Sequence, residues 1–193
     1  MEANNKTNND PNFYRVIVVG GGFAGVGAAI KLKEAGIEDF ILLEKAHEMG
    51  GVWRENTYPG CACDVPSALY SYSFAPNPAW SRVFAEQKEI KQYLFDVVEH
   101  YDVMPHVRLN CEALKAQWCD VENCWIIQTA QGELRSQFAI LACGPMHEPV
   151  LPKVKGIEDF KGEIFHSSQW RHDLDLTGKR VAVIGTGASA IQF

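Results

Sequence analysis

No stretch of this chain approaches the roughly 20 continuous apolar residues that span a bilayer, and its opening, MEANNKTNNDPN, lacks the apolar core of a secretion signal. A membrane helix is therefore not expected, and residues 1–13 read as a disordered tail. A basic excess is missing too. Against 24 Asp and Glu stand 18 Lys and Arg, a formal charge of −6, so no global field recruits nucleic acid or an anionic surface. Any anionic ligand must be held locally. The six cysteines lack the spacing of a disulfide framework, since Cys61 and Cys63 are one residue apart and Cys143 ends an apolar run. They read as reduced thiols of a cytoplasmic protein. No metal is expected: among Cys61, Cys63, Cys119 and Cys124 there is no CxxC pair, and no paired histidine motif accompanies them.

What is present is the composition of a soluble globular protein, 47% apolar and 22% charged over 193 residues. That length allows one large domain and the start of another. Residues 15–20 (RVIVVG) are a short β-branched run of the kind buried on both faces of a parallel sheet. Residues 24–35 carry Val26, Ala29, Ile30 and Leu32 at helical spacing, Gly36 follows as a stop, and FILLEK reads as a second strand. Strand, glycine turn, helix and strand make one βαβ unit.

Residues 50–78 form a long loop rich in Gly, Pro, Ser and aromatics, and residues 86–100 a helix with Ile90, Leu94, Phe95 and Val98 on one face. Three or four strands follow (VRLNCEALKAQW, CWIIQT, ELRSQ, FAILACG), an antiparallel meander returning to the parallel sheet. After Pro145, Pro149 and Pro152, residues 180–184 repeat the opening theme as a strand, then a glycine turn and the start of a helix. The fold class expected is α/β: a Rossmann-like domain over 14–150 with an antiparallel meander, a connection over 151–178, and the truncated start of a second Rossmann-like domain over 179–193.

Gly20, Gly22 and Gly25 spell GxGxxG between strand and helix. The first permits the tight turn, the second lets backbone approach a pyrophosphate, and the third lets helix and strand pack closely, with the helix N-terminus facing the phosphates. Glu44 ends the second strand nineteen residues beyond Gly25, where a carboxylate can accept from a ribose diol. It is expected to be exposed and to serve ligand more than core. An acidic residue there suits FAD or NAD rather than a 2′-phosphate. A GxGxxA follows later at Gly185, Gly187 and Ala190.

Two further blocks carry a resemblance. Gly50, Gly51 and Trp53 (GGxW) lead into YPGCACDVPSALYSYSF, and Phe160, Gly162, His166 and Trp170 spell FxGxxxHxxxW between the two glycine motifs. Together they resemble the Baeyer–Villiger monooxygenases, the ketone-to-ester branch of class B flavoprotein monooxygenases. Arg171 departs from the family's usual Pro or Asp after the tryptophan. The resemblance implies FAD and NADPH as cofactors, O2 and a small ketone as substrates, and insertion of one oxygen atom beside the ketone carbonyl. It implies Asp64 as the acidic residue beside nicotinamide and flavin, orienting an arginine for which this chain has no match. For FAD it adds Phe23, Ala24, Lys45, Gly51, Val52, Trp53, Cys63, Tyr70 and Ala113 to the glycines and Glu44. For NADPH it implies Gly185, Thr186, Gly187, Ala188, Ser189, Ala190 and Gln192. The FxGxxxHxxxW string is expected to link domains, with His166 either structural or chemical. Alternatives are an N- or S-oxygenating flavin monooxygenase and an FAD-binding fragment without turnover; a C-terminal half is the expected missing partner.

Overall fold

The computed structural model describes residues 10–193, so most of the tail expected over 1–13 lies outside the described residues. Two compact units share the chain: residues up to Met49 with Val98–Gly144, and Gly50–Val97 with Pro145–Phe193. Helix α3 (Gln87–His100) runs from the second into the first.

The first unit is built on one six-stranded sheet in the order β3-β2-β1-β6-β5-β4. Strands β1 (Phe13–Val19), β2 (Phe40–Leu43), β3 (Val107–Arg108) and β6 (Gly132–Leu141) run parallel, while β4 (Ala113–Cys119) and β5 (Cys124–Thr129) add the antiparallel meander. Residues 10–13 are held rather than loose: Arg135 N donates to Asn12 O at 2.9 Å, and Phe13 already pairs with Arg135. ELRSQ and FAIL form one strand, β6, not two. Ser136 and Gln137 look like a polar break in sequence, yet Ser136 is fully buried between Tyr14 of β1 and Trp125 of β5, so the ladder continues through it.

Val16–Val19 and Phe40–Leu43 are buried on both faces, as a continuous apolar run demands. Ile17, Val19, Ile41 and Leu43 pack with Cys111, Ile127 and Leu134 into one core cluster. Helix α1 (Phe23–Glu34) contacts β1, β2 and β6 and buries Gly25, Val26, Ala29 and Ile30. Burying an Ile or Leu side chain contributes about 1.5–3 kcal/mol, which fixes β1 and β2 so that their carboxyl ends, Val19 and Leu43, lie in register side by side.

The second unit has short elements: α2 (Val52–Glu55), most of α3, single 3-10 turns, and α4 (Ala188–Gln192). The strand expected over 180–184 is not formed. Val181, Val183 and Ile184 stand exposed, and nothing among the described residues pairs with their backbone. Isolated strand backbone leaves its N–H and C=O groups without ladder partners, so β propensity alone cannot hold it. Among the described residues no helix is long and apolar enough to cross a membrane.

Candidate functional site

At the carboxyl end of β1 the chain turns through Gly20, whose φ of +110° lies in the region that favours glycine. A Cβ there would sit 2.5 Å from Ala142 O, on the neighbouring end of β6. A Cβ on Gly25 would collide with Gly20 O, so the first turn of α1 presses directly on the loop. The helix starts at Gly22 with no side-chain cap and no acidic residue in its first turn. An anion is favoured at such a start by the helix dipole and the backbone amides, and no acidic residue of the first turn competes with it.

Glu44 is 4% exposed. Its Oε2 accepts from Gly21 N at 2.8 Å and its Oε1 from Ala46 N at 2.9 Å. The expected exposed carboxylate is thus a buried one. Backbone bonds to Arg108 O and from Cys111 N pin the residue at 3.0 and 2.9 Å, which draws its side chain under the glycine loop. Lys45 and Ala24 are exposed, Phe23 and Ala113 half-buried.

In the second unit Gly50 and Gly51 both take positive φ, +134° and +54°, before α2. Trp53 is buried at 8%, its Nε1 donating to Tyr70 Oη at 2.9 Å with the rings edge to face. Burial raises the Tyr70 phenol pKa, partly opposed by that bond. The Gln87 side-chain amide donates to Trp53 O.

Residues 61–63 lie antiparallel to 85–87: Gln87 N donates to Cys61 O at 2.9 Å and Cys63 N to Ala85 O at 2.8 Å. Ser67, 1% exposed, braces the same place by accepting from Ala85 N at 2.6 Å. Cys63 is buried and burial raises its thiol pKa, whereas Asp64 next to it is exposed. Gln87 was not singled out from the sequence, and Ser67 entered only as part of the block that carries the resemblance. Their partners lie 18 to 34 residues away, so no local pattern marks them.

Tyr58 brings the YPG block to α4. Its Oη donates to Gln192 Oε1 at 2.8 Å and lies 3.2 Å from Ser189 Oγ. Burial pushes this phenol up to about 12, against a smaller opposite pull from Ser189. Gly185 turns at φ +133°, but its Cβ position meets only Ala190 at 3.7 Å, and that of Gly187 meets nothing within 4 Å. The close packing found at Gly20 and Gly25 is not repeated here, because residues 180–184 make no sheet against which to pack. As they stand, Thr186 and Ala188 on this turn do not make a fitted pyrophosphate cradle, while Ser189 and Gln192 face Tyr58.

The FxGxxxHxxxW residues have individual reasons. A Cβ on Gly162 would sit 2.6 Å from the Phe160 ring, which is itself 60% exposed. His166 Nδ1 accepts from Ser168 N at 3.2 Å, capping the 3-10 turn Ser167–Gln169, and pairs with Ser168 Oγ at 2.9 Å. Trp170 stacks edge to face on Phe165 and Phe193 at 5.3 and 4.9 Å. Arg171 answers its departure from the pattern with ion pairs to Asp173 and Glu163 at 2.7 and 3.2 Å.

The chain is similar to known proteins over most of its length. Residues 17–193 match the family model described as pyridine nucleotide-disulphide oxidoreductase. The chain is 50% identical over 179 residues to a Baeyer-Villiger monooxygenase of Streptomyces coelicolor, covering 93% of this chain and 34% of that protein. A Baeyer-Villiger monooxygenase of Pseudomonas aeruginosa is 48% identical over 180 residues, with 93% and 34% covered. Among solved structures, an oxidized steroid monooxygenase bound to NADP superposes with a TM-score of 0.81 at 39% identity over 93% of this chain and 36% of its own. The complex of OTEMO with FAD and NADP gives 0.83 at 35% identity, with 93% and 36% covered. The chain spans about a third of the length of the curated relatives it matches.

Proposed function

Since the chain belongs to the pyridine nucleotide-disulphide oxidoreductase family, we propose that it supplies the FAD-binding part of an NADPH- and O2-dependent monooxygenase of the Baeyer–Villiger type, acting on a small ketone. The observation that carries this reading is the glycine loop: Gly20 and Gly25 leave no space for a Cβ, and α1 starts at Gly22 with no side-chain cap. Those features fit the pyrophosphate of a dinucleotide.

Gly20, Gly22 and Gly25 would hold the pyrophosphate with the amides of Phe23 and Ala24, and Glu44 would face the ribose with Lys45 beside it. Ala113 would meet the adenine. By resemblance Gly51, Val52, Trp53, Cys63, Asp64 and Tyr70 are assigned to the same cofactor, with Asp64 as the catalytic carboxylate that orients an arginine. Bound FAD supplies the redox chemistry, accepting hydride and reacting with O2; the protein groups bind, orient and exclude water. Residues 185–190 are assigned to NADPH by resemblance alone, and no step is derived through them. We read 14–150 as the FAD domain, 151–178 as the connection and 179–193 as the opening of the NADPH domain. Six free thiols suit a reducing compartment, the cytoplasm.

The test joins the purified, FAD-loaded chain in trans with the C-terminal two-thirds of the Streptomyces relative and supplies NADPH, O2 and a panel of cyclic and aryl ketones. Ester or lactone is the expected product. Sulfoxide or N-oxide from heteroatom substrates, with no ester, would assign the chain to the N- or S-oxygenating alternative. Loaded flavin that supports neither would favour an FAD-binding fragment without turnover.

A further inference from the structure

We infer that Gln192 is a positioning residue whose side-chain amide serves as the second-edge backbone partner of residues 61–63 and thereby fixes the path of residues 58–64. One edge of that segment is held by main chain, through Gln87 N to Cys61 O and Cys63 N to Ala85 O. In an antiparallel pair this pattern points the N–H and C=O of the middle residue, Ala62, the other way. On that other side lies Gln192. Its Nε2 donates to Ala62 O at 2.9 Å and its Oε1 accepts from Ala62 N at 3.4 Å, so one side-chain amide meets both groups as a neighbouring peptide would.

Two more contacts converge on the same residue. Tyr58 Oη donates to Gln192 Oε1 at 2.8 Å. Gly60 turns at φ +80°, and a Cβ there would strike Gln192 O, so the turn carries glycine because the end of α4 lies against it. Tyr58, Gly60 and Ala62 therefore all meet one residue 130 to 134 positions away. Asp64 leaves this held segment two residues later, exposed and without regular structure of its own. Its direction is inherited from the bracket at Ala62. The chemical role of Asp64 rests on the function proposed above; the bracket does not.

The resemblance assigns Gln192 to a pyridine nucleotide. In this arrangement its carbonyl oxygen already accepts from both Tyr58 and Ala62, which gives the residue a task within the protein.

The experiment is amide hydrogen exchange by NMR on the whole chain without FAD, so that a failure of flavin binding cannot be mistaken for a failure here. Gln192→Met keeps the volume and removes both bonds. Loss of this long bond, at the weak end of the usual range, should lower Ala62 amide protection about twofold to fivefold and move the Asp64 amide resonance, with Cys63 and Gln87 amides unchanged. Tyr58→Phe, which removes the phenol but not the amide pair, should leave Ala62 protected. Unchanged Ala62 protection in Gln192→Met would overturn the proposal. So would a joint fall at Ala62, Cys63 and Gln87, which marks general loosening, or a loss at Ala62 in Tyr58→Phe, which would make the phenol the holder.

Discussion

Replacing Glu44 by Ala should destabilise the first unit as well as weaken FAD. Both carboxylate oxygens accept backbone amides, Gly21 N at 2.8 Å and Ala46 N at 2.9 Å, and the residue is 4% exposed. Alanine leaves the Gly21 amide buried with its acceptor removed, which costs about 1.5–3 kcal/mol for a bond to a charged group. Ala46 is only partly buried and can recover water, so its loss is smaller, about 0.5–1.5 kcal/mol. A sum of roughly 2–4 kcal/mol is a large share of the 5–15 kcal/mol typical of a domain. With a urea dependence of about 2 kcal/mol per molar, the unfolding midpoint should fall by about 1–2 M. Urea titration followed by circular dichroism reads this, with flavin fluorescence quenching reporting FAD in parallel. A variant with the parent midpoint and weakened FAD would refute the reasoning, and would return Glu44 to the exposed ligand that its strand-end position implies.

Gly25→Val should abolish flavin binding and lower stability, because the added Cβ enters Gly20 O; gel-filtered protein scanned for a flavin absorbance band checks it. Ile17→Ala, at a fully buried position in the core cluster, should cost about 2–5 kcal/mol in urea unfolding. The Tyr58 phenol, raised from 10.0 to about 12 by burial, keeps its proton longer in the folded state than in the unfolded chain. Its contribution to stability is therefore complete below pH 10 and lost as pH rises through about 12; tyrosinate absorbance of the parent minus that of Tyr58→Phe should show one late-titrating phenol. The 193 residues alone, given FAD, NADPH and ketones, should form no ester, since no arginine here matches the one that the resemblance has Asp64 orient; gas chromatography of the extract decides it.

Much of the first unit was legible because its signals are local. A β-branched run, three glycines and a second apolar run lie within thirty residues, and both apolar runs are buried as the pattern requires. The meander was legible except at two boundaries: VRLNCEALKAQW divides into β3, parallel to β2, and β4, antiparallel to β5, and the polar pair Ser136–Gln137 hid a continuous strand. Residues 180–184 show the opposite failure. Their composition is as strand-like as that of β1, but β1 has neighbours on both sides and they have none among the described residues. Glu44 shows why burial escapes a linear reading. Its place after the strand was visible, but its burial depends on an amide 23 residues earlier. Gln87, Ser67 and the Gln192 bracket escape for the same reason, being polar side chains that hold backbone far along the chain.

Direct titration tests whether the glycine loop between β1 and α1 binds FAD. Purified chain, stripped of flavin and titrated with FAD, should quench flavin fluorescence to saturation at one FAD per chain, and Gly25→Val should quench none. Saturable quenching that persists in Gly25→Val, or no quenching in the parent chain while its circular dichroism shows it folded, would contradict the account.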